Sequence, residues 1–240
     1  MSATSFTFEW FFLGAAVVAA AGYVWFARAD RPEPWRAALF AVGLLLIAGS
    51  LNSPLETIAV KRLLLIHLLQ NALIADIAPL LLLLGLTPTM RALLPHVRAR
   101  YALPAWLIAW YGTHATNFYD WALRDSWPLN IEHAILICAG LLFWWPIVSG
   151  RLSSPAALAY LGAAFVGSSF LGLAFIFSTR PIYSYYEHTP RLWGLSPARD
   201  QNLGGILMNG EQTLVFLLAI GFYVWRLLNE EHAAGAPTQS

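Results

Sequence analysis

Three histidines, one methionine and a few acids are the residues of this chain whose types and spacing could do chemistry. His67, His114 and His133 each lie in or beside an otherwise apolar run. A neutral imidazole is the commonest side-chain ligand for transition metals, so three on neighbouring helix ends would suit copper or zinc. Met208 adds a soft thioether that favours copper(I). Glu132, beside His133, could orient that ring. The plainer alternative for each histidine alone is a hydrogen bond to a neighbouring helix. Asp76 and Glu211 lie inside apolar runs, where an ionisable group is costly and either relays protons or fixes helix contacts. Asn71 follows His67 by one helical turn and shares its face, with Gln70 beside it. Asp76 comes nine residues after His67, about half a turn away in angle, so it is expected to have different partners.

The elements that must position these groups are apolar and long. Residues 63–90 read LLLIHLLQNALIADIAPLLLLLGLTPTM, with Asp76 as the single formal charge before residue 86. A bilayer core needs about 20 mostly apolar residues as helix, and this stretch supplies them. The whole chain of 240 residues is 58% hydrophobic and 11% charged, against about 25% charged for a soluble domain. A net charge of +1 offers no basic field for nucleic acid. The single cysteine, Cys138, excludes an intramolecular disulfide and a cysteine-based metal cluster within one chain. Glu9 precedes the first apolar run where a signal peptide would be basic, so that run is expected to be a retained span.

Apolar runs at 10–27, 37–51, 63–86, 101–119, 130–150, 152–179 and 203–225 predict an all-α polytopic transmembrane helix bundle of about seven spans. A single domain over 1–228 is expected, followed by a flexible polar tail at 229–240. Eight Lys and Arg fall on the side of the C-terminus and six on the side of the N-terminus. The positive-inside rule then puts the N-terminus outside and the C-terminus in the cytoplasm. Whatever the sign, the alternation of spans brings His67, His114, His133, Asp120, His188, Asp200 and Gln201 toward one membrane face. The expectation is a cavity on that face in which the three imidazoles converge. The aromatic clusters Trp144-Trp145 and Tyr183 to Tyr186 suit an interface belt. No phosphate loop, nucleophile elbow or HExxH motif is present, and a hydrolase reading has no nucleophile.

At these residues the chain resembles the CtaG-type integral-membrane cytochrome c oxidase assembly proteins, a family linked to copper and haem–copper oxidases. The matching pieces are HLLQN…APLLLLLG at 67–85, His114 to Asp120, EH…GLLFWWP at 132–146, RPIY at 180–183 and DQNLGGILM at 200–208. The resemblance implies a bacterial plasma-membrane protein, not an enzyme, that handles or delivers copper during oxidase assembly, and the orientation expected above puts that work at the outer face. It draws attention to His67, His114, His133, Asp200 and Met208. Membrane lipid and an oxidase subunit or another membrane-protein client are the partners it implies. Two departures stand out. Asn71 occupies the place of a second family histidine, and Asn209-Gly210-Glu211-Gln212 follows the methionine where the family has a Trp-Val-Pro-Gly-like turn. The competing functions are a stable accessory subunit of a respiratory complex and a membrane metalloprotein or proton-coupled transporter using His67, Asp76 and Glu211.

Overall fold

The computed structural model describes residues 5–235, with side chains as far as residue 233, and every regular element among them is helical. In order these are α1 (Trp10–Ala27), α2 (Pro34–Leu51), α3 (Pro54–Lys61), α4 (Leu64–Ala72), a π-turn (Leu73–Ile77), α5 (Ala78–Gly85), α6 (Pro88–Leu93), α7 (Ala99–Thr113), α8 (Thr116–Ala122), α9 (Ser126–Val148), α10 (Ser154–Phe177), a 3-10 turn (Ser184–Glu187) and α11 (Pro197–Gly235). Proline in the first turn, where its missing N–H costs nothing, opens α2, α3 and α6. Ser53 caps α3 by accepting from the Leu55 amide at 3.2 Å, and Thr87 caps α6 by accepting from Met90 at 3.2 Å.

Among the described residues six helical stretches are long and apolar enough to cross a membrane: Trp10–Ala27, Pro34–Leu51, Leu64–Gly85, Ser126–Val148, Ser154–Phe177 and Pro197–Ala233. The chain is a multi-pass membrane protein. The seventh run expected, 101–119, folds differently. It makes the 15-residue α7, stops at His114 (φ −90°, ψ 0°) and resumes as α8. Side chains stop it. Thr113 Oγ1 donates to the Ala109 carbonyl at 2.9 Å, and His114 Nδ1 lies 2.8 Å from the Trp110 carbonyl. These groups satisfy the last-turn oxygens that a continued helix would have bonded. The opposite happens at the C-terminus, where α11 runs on to Gly235 through most of the segment expected to be flexible. Glu, Leu and Ala favour helix there, and Arg226 pairs with Glu230 one turn on at 2.8 Å. Residues 236–240 of the expected tail lie outside the described residues.

The α4–π–α5 span is the centre of the bundle. It packs against α2, α9 and α11, and α9 is in turn backed by α7. One half of the core is aromatic: Trp106 stacks on Phe143 at 4.4 Å, and Phe143 on Tyr160 at 5.1 Å. Trp144 and Trp145, expected at an interface, are part of it. Trp144 stacks on Phe216, and the Trp145 indole donates to the Pro95 carbonyl at 2.9 Å. Both rings are buried by that packing instead of lying at the surface of the bundle.

Gly140 on α9 allows that helix to touch the π-turn. A Cβ there would stand 1.9 Å from the Ala75 carbonyl oxygen and 2.8 Å from Pro79 Cγ. Backbone cannot retreat as a flexible side chain can. Gly140→Ala is therefore expected to destabilise the bundle by about 1–3 kcal/mol, read as a lower thermal midpoint in detergent. Gly162→Ala, which meets nothing within 4 Å, is the control and should leave the midpoint unchanged or slightly raised.

Candidate functional site

His67 stands in the first turn of α4, and its position is set from α11. Leu63, before the helix, supplies no side-chain cap. Asp200 fills that role from the far end of the sequence. Its Oδ2 accepts from the Leu64 amide at 2.9 Å and its Oδ1 from the Leu65 amide at 2.9 Å. Arg191 Nη2 completes the arrangement at 2.9 Å from Asp200 Oδ2. A carboxylate on two first-turn amides also complements the helix dipole. The next two residues anchor the same region. Gln201 accepts from the Ile182 amide at 2.7 Å and donates to the Arg180 carbonyl at 3.2 Å. Asn202 donates to the carbonyls of Phe175, Ile176 and Ser178 at the end of α10.

The His67 ring is fully buried, with Nδ1 3.0 Å from the Tyr186 hydroxyl. That hydroxyl donates its one proton to the Ala59 carbonyl at 2.6 Å. His67 Nδ1 must then be the donor to Tyr186, which leaves a lone pair on Nε2. Nε2 faces Glu132 Oε1 at 3.7 Å and has no hydrogen-bond partner. Asn71 Nδ2 donates to the same Glu132 oxygen at 3.2 Å. His114 repeats the pattern: Nδ1 donates to Trp110 and Nε2 is buried without a partner. Both ring nitrogens of His133 are buried and unpartnered, as are Glu132 Oε2 and the Tyr119 hydroxyl.

The rings of His67 and His133 are 6.0 Å apart at an edge-to-face angle. With metal–nitrogen bonds near 2 Å, two imidazoles on one ion put their ring centres about 5–6 Å apart. His114 does not join them. The Tyr119 ring lies between, 5.1 Å from His67 and 5.7 Å from His114. Tyr119 is held there by a stack on Tyr183 at 4.1 Å, and Tyr183 donates to the His114 carbonyl at 2.9 Å. Among the described residues no group of three or more His, Cys, Asp or Glu side chains is arranged to hold a metal ion. Two imidazoles thus come together, with Glu132 beside His67, in place of the three that the alternation of spans was expected to gather. Met208 is fully buried in the apolar cluster of Leu64, Leu68, Trp110, Tyr119 and Phe175, which walls this region from α11.

Other expected residues fall elsewhere. Asp120 accepts from Ser184 Oγ at 2.7 Å and the Tyr185 amide at 3.3 Å, and so ties down the 3-10 turn. Asp200 and Gln201 bind backbone rather than an imidazole. Asp76 and Glu211 lie near each other, apart from the histidines. Tyr183 and Tyr186 are not a belt. Both are buried, one bonded to the His114 backbone and the other to the His67 ring. Burial pushes both phenols well above their usual pKa, so they act as neutral donors. One further residue matters that the sequence reading gave no role. Glu56 on α3 is buried and accepts from Gln70, one residue before Asn71. The signal for it was Gln70, a polar residue beside the His67 face.

The fold and the site define a polytopic helical membrane protein with a buried histidine–carboxylate–tyrosine cluster at one end of its central span. More narrowly, the chain belongs to the cytochrome c oxidase caa3 assembly factor family, whose model matches residues 10–230. No curated protein and no solved structure matches the chain.

Two predictions follow from the anchors. Asp200→Ala should cost at least the ~1–2 kcal/mol of a lost cap and lower the thermal midpoint in detergent, with Arg191 left without its carboxylate. Glu56 sits outside the spans, and its pKa is raised to about 8, first by burial and then by Glu9, against the opposing Gln70 hydrogen bond. The folded state therefore holds this proton where the unfolded chain, at the ordinary carboxyl value, has lost it. Stability should fall as pH rises between the two values and level off above about 8. Glu56→Gln should flatten this slope in denaturation curves measured across that window.

Proposed function

We propose that this protein acts as a non-catalytic assembly factor that handles copper, as cargo, for a haem–copper oxidase at the outer face of a bacterial plasma membrane. The reading takes its client from the family and its chemistry from the buried cluster. The observation that carries it is the unpartnered Nε2 of His67, beside His133, with its tautomer set by Tyr186. A ligating imidazole is commonly prepared in this way, its other N–H bonded to an oxygen. Copper accepts imidazole, and copper(I) tolerates two ligands, so a pair of histidines forms a weak site that releases what it holds. Glu132 faces the His67 ring at 3.7 Å, where it can hold a proton that binding or release requires. Asn71 bonds Glu132 instead of offering a second imidazole from α4.

Copper retained by the detergent-purified protein tests this. His67→Ala and His133→Ala should each lower retention about tenfold or more, and Glu132→Gln should change it within the 10–100-fold range of an outer partner. Asn71→His should raise it. In cells lacking the native gene, oxidase activity should return with the wild type and not with His67→Ala. Unchanged copper in all variants, with normal oxidase, would reject copper handling. Co-purification with the oxidase at fixed stoichiometry would replace an assembly factor by a stable subunit. The orientation is tested by a reporter fused after Trp225, which should read as cytoplasmic.

A further inference from the structure

A second polar set lies in the interior, away from the histidines. Asp76 occupies the π-turn near the middle of the Leu64–Gly85 span, is 1% exposed, and has no partner for either carboxyl oxygen. Glu211 of α11 likewise has both oxygens buried and unpartnered. Gln212, 2% exposed, has neither its amide nitrogen nor its amide oxygen bonded. Asp76 and Glu211 are close enough for their charges to repel. The Gln212 amide lies beside the Asp76 carboxyl without completing a hydrogen bond to it. Met208, Glu211 and Gln212 are spaced one turn apart, so they share the face of α11 that packs on the α4 span. A π-turn in the middle of a helix is rare, and such turns concentrate at functional positions.

Among the described residues, the elements packed on this set offer it no positive charge. α5 carries no ionisable side chain. The one charged residue of α2, Arg36, bonds Glu33 and the carbonyls of Leu84 and Leu86 at the far end of α5. On α9, Glu132 and His133 belong to the histidine cluster and Cys138 is exposed. On α4 the ionisable group is His67, already bonded to Tyr186. On α11 Asp200 caps α4 and Arg226 pairs with Glu230. Two ionised carboxylates cannot share such a place without a counter-ion, and one of them must be neutral. A neutral carboxyl can donate to an ionised one in a short, charge-assisted bond, and a carboxamide can donate to the remaining oxygens.

We propose that Asp76, Glu211 and Gln212 form an intramembrane proton-binding site in which the two carboxyls share one proton, and that this proton holds α11 against the π-turn. Loss of the proton places two like charges across a helix contact in a medium of low dielectric. The inference does not rest on metal binding at the histidines.

Infrared spectra of the full chain in detergent, with the Asp76→Asn/Glu211→Gln double variant as reference, test it. The wild type should show the carbonyl band of one protonated, deuterium-sensitive carboxyl that the variant lacks. Glu56 and Glu132 contribute equally to both proteins. The band should vanish on alkaline titration, and amide exchange at residues 73–77 should then rise beyond its intrinsic pH dependence in the wild type alone. No difference band, or the same exchange response in both proteins, overturns the proposal. So does loss of the band on adding sodium chloride at constant pH, since a metal ion would then be the neutralising group. If the double variant does not accumulate, the wild-type titration decides: exchange that rises without loss of a protonated-carboxyl band overturns it.

Discussion

Two backbone amides, those of Leu64 and Leu65, point at the carboxylate of Asp200, and the location of His67 follows from that contact. The third span begins without a capping side chain of its own. In an apolar setting a helix end left open costs as much as any broken hydrogen bond. The cap is therefore borrowed from α11, and the borrowing fixes two distant helices against each other. Gln201 and Asn202 extend the same clamp to the loop after α10 and to the end of α10 itself. That loop carries Tyr183 and Tyr186 into the bundle, and those two phenols set the Tyr119 ring and the His67 tautomer.

The buried polar groups of this chain divide into two kinds. Asp200, Gln201, Asn202, Tyr183 and Tyr186 have partners for the groups they present, and most of those partners are backbone. Such groups hold a fold together and have little left to offer a ligand. His67 Nε2, His114 Nε2, both nitrogens of His133, Glu132 Oε2, and the acids Asp76 and Glu211 have none. An unsatisfied buried polar atom costs about 1–3 kcal/mol, and these ionisable groups are the ones that keep a lone pair or a proton to offer. The division separates residues that share one sequence stretch: DQN at 200–202 is an anchor, while Glu211, one turn beyond Met208, is not.

Much of this was legible before any coordinates. Helix content and six of the seven spans followed from the length of the apolar runs, because a bilayer leaves few alternatives to helix, and the family followed from the resemblance of the pieces at 67–85, 132–146 and 200–208. The gathering of His67 and His133 followed from alternation of spans. The partition of Asp76 from His67 followed from helix angle, even though the π-turn between them was not foreseen. Other features depended on tertiary partners. The break at His114 came from two side chains turning back onto the α7 carbonyls, which periodicity does not register. Tyr119 was read only as the end of an apolar run, yet its ring is what separates His114 from His67. Tyr183, Tyr186, Trp144 and Trp145 are buried rather than at a belt, and composition cannot tell an aromatic at the headgroups from one packed inside a bundle.

The length of α11 has a mechanical side. Its 39 residues extend ~58 Å at ~1.5 Å each, against a hydrocarbon thickness of ~30 Å. Even tilted, a rod of that length leaves several turns standing in water, and the surplus carries Arg226, Glu230, Glu231 and His232. Its opposite end grips the first turn of α4. A molecule that pulls or twists the protruding end acts on a lever whose fulcrum is the packed bundle and whose load is the clamp above His67. The two membrane surfaces are thereby connected by one stiff element rather than by a chain of contacts.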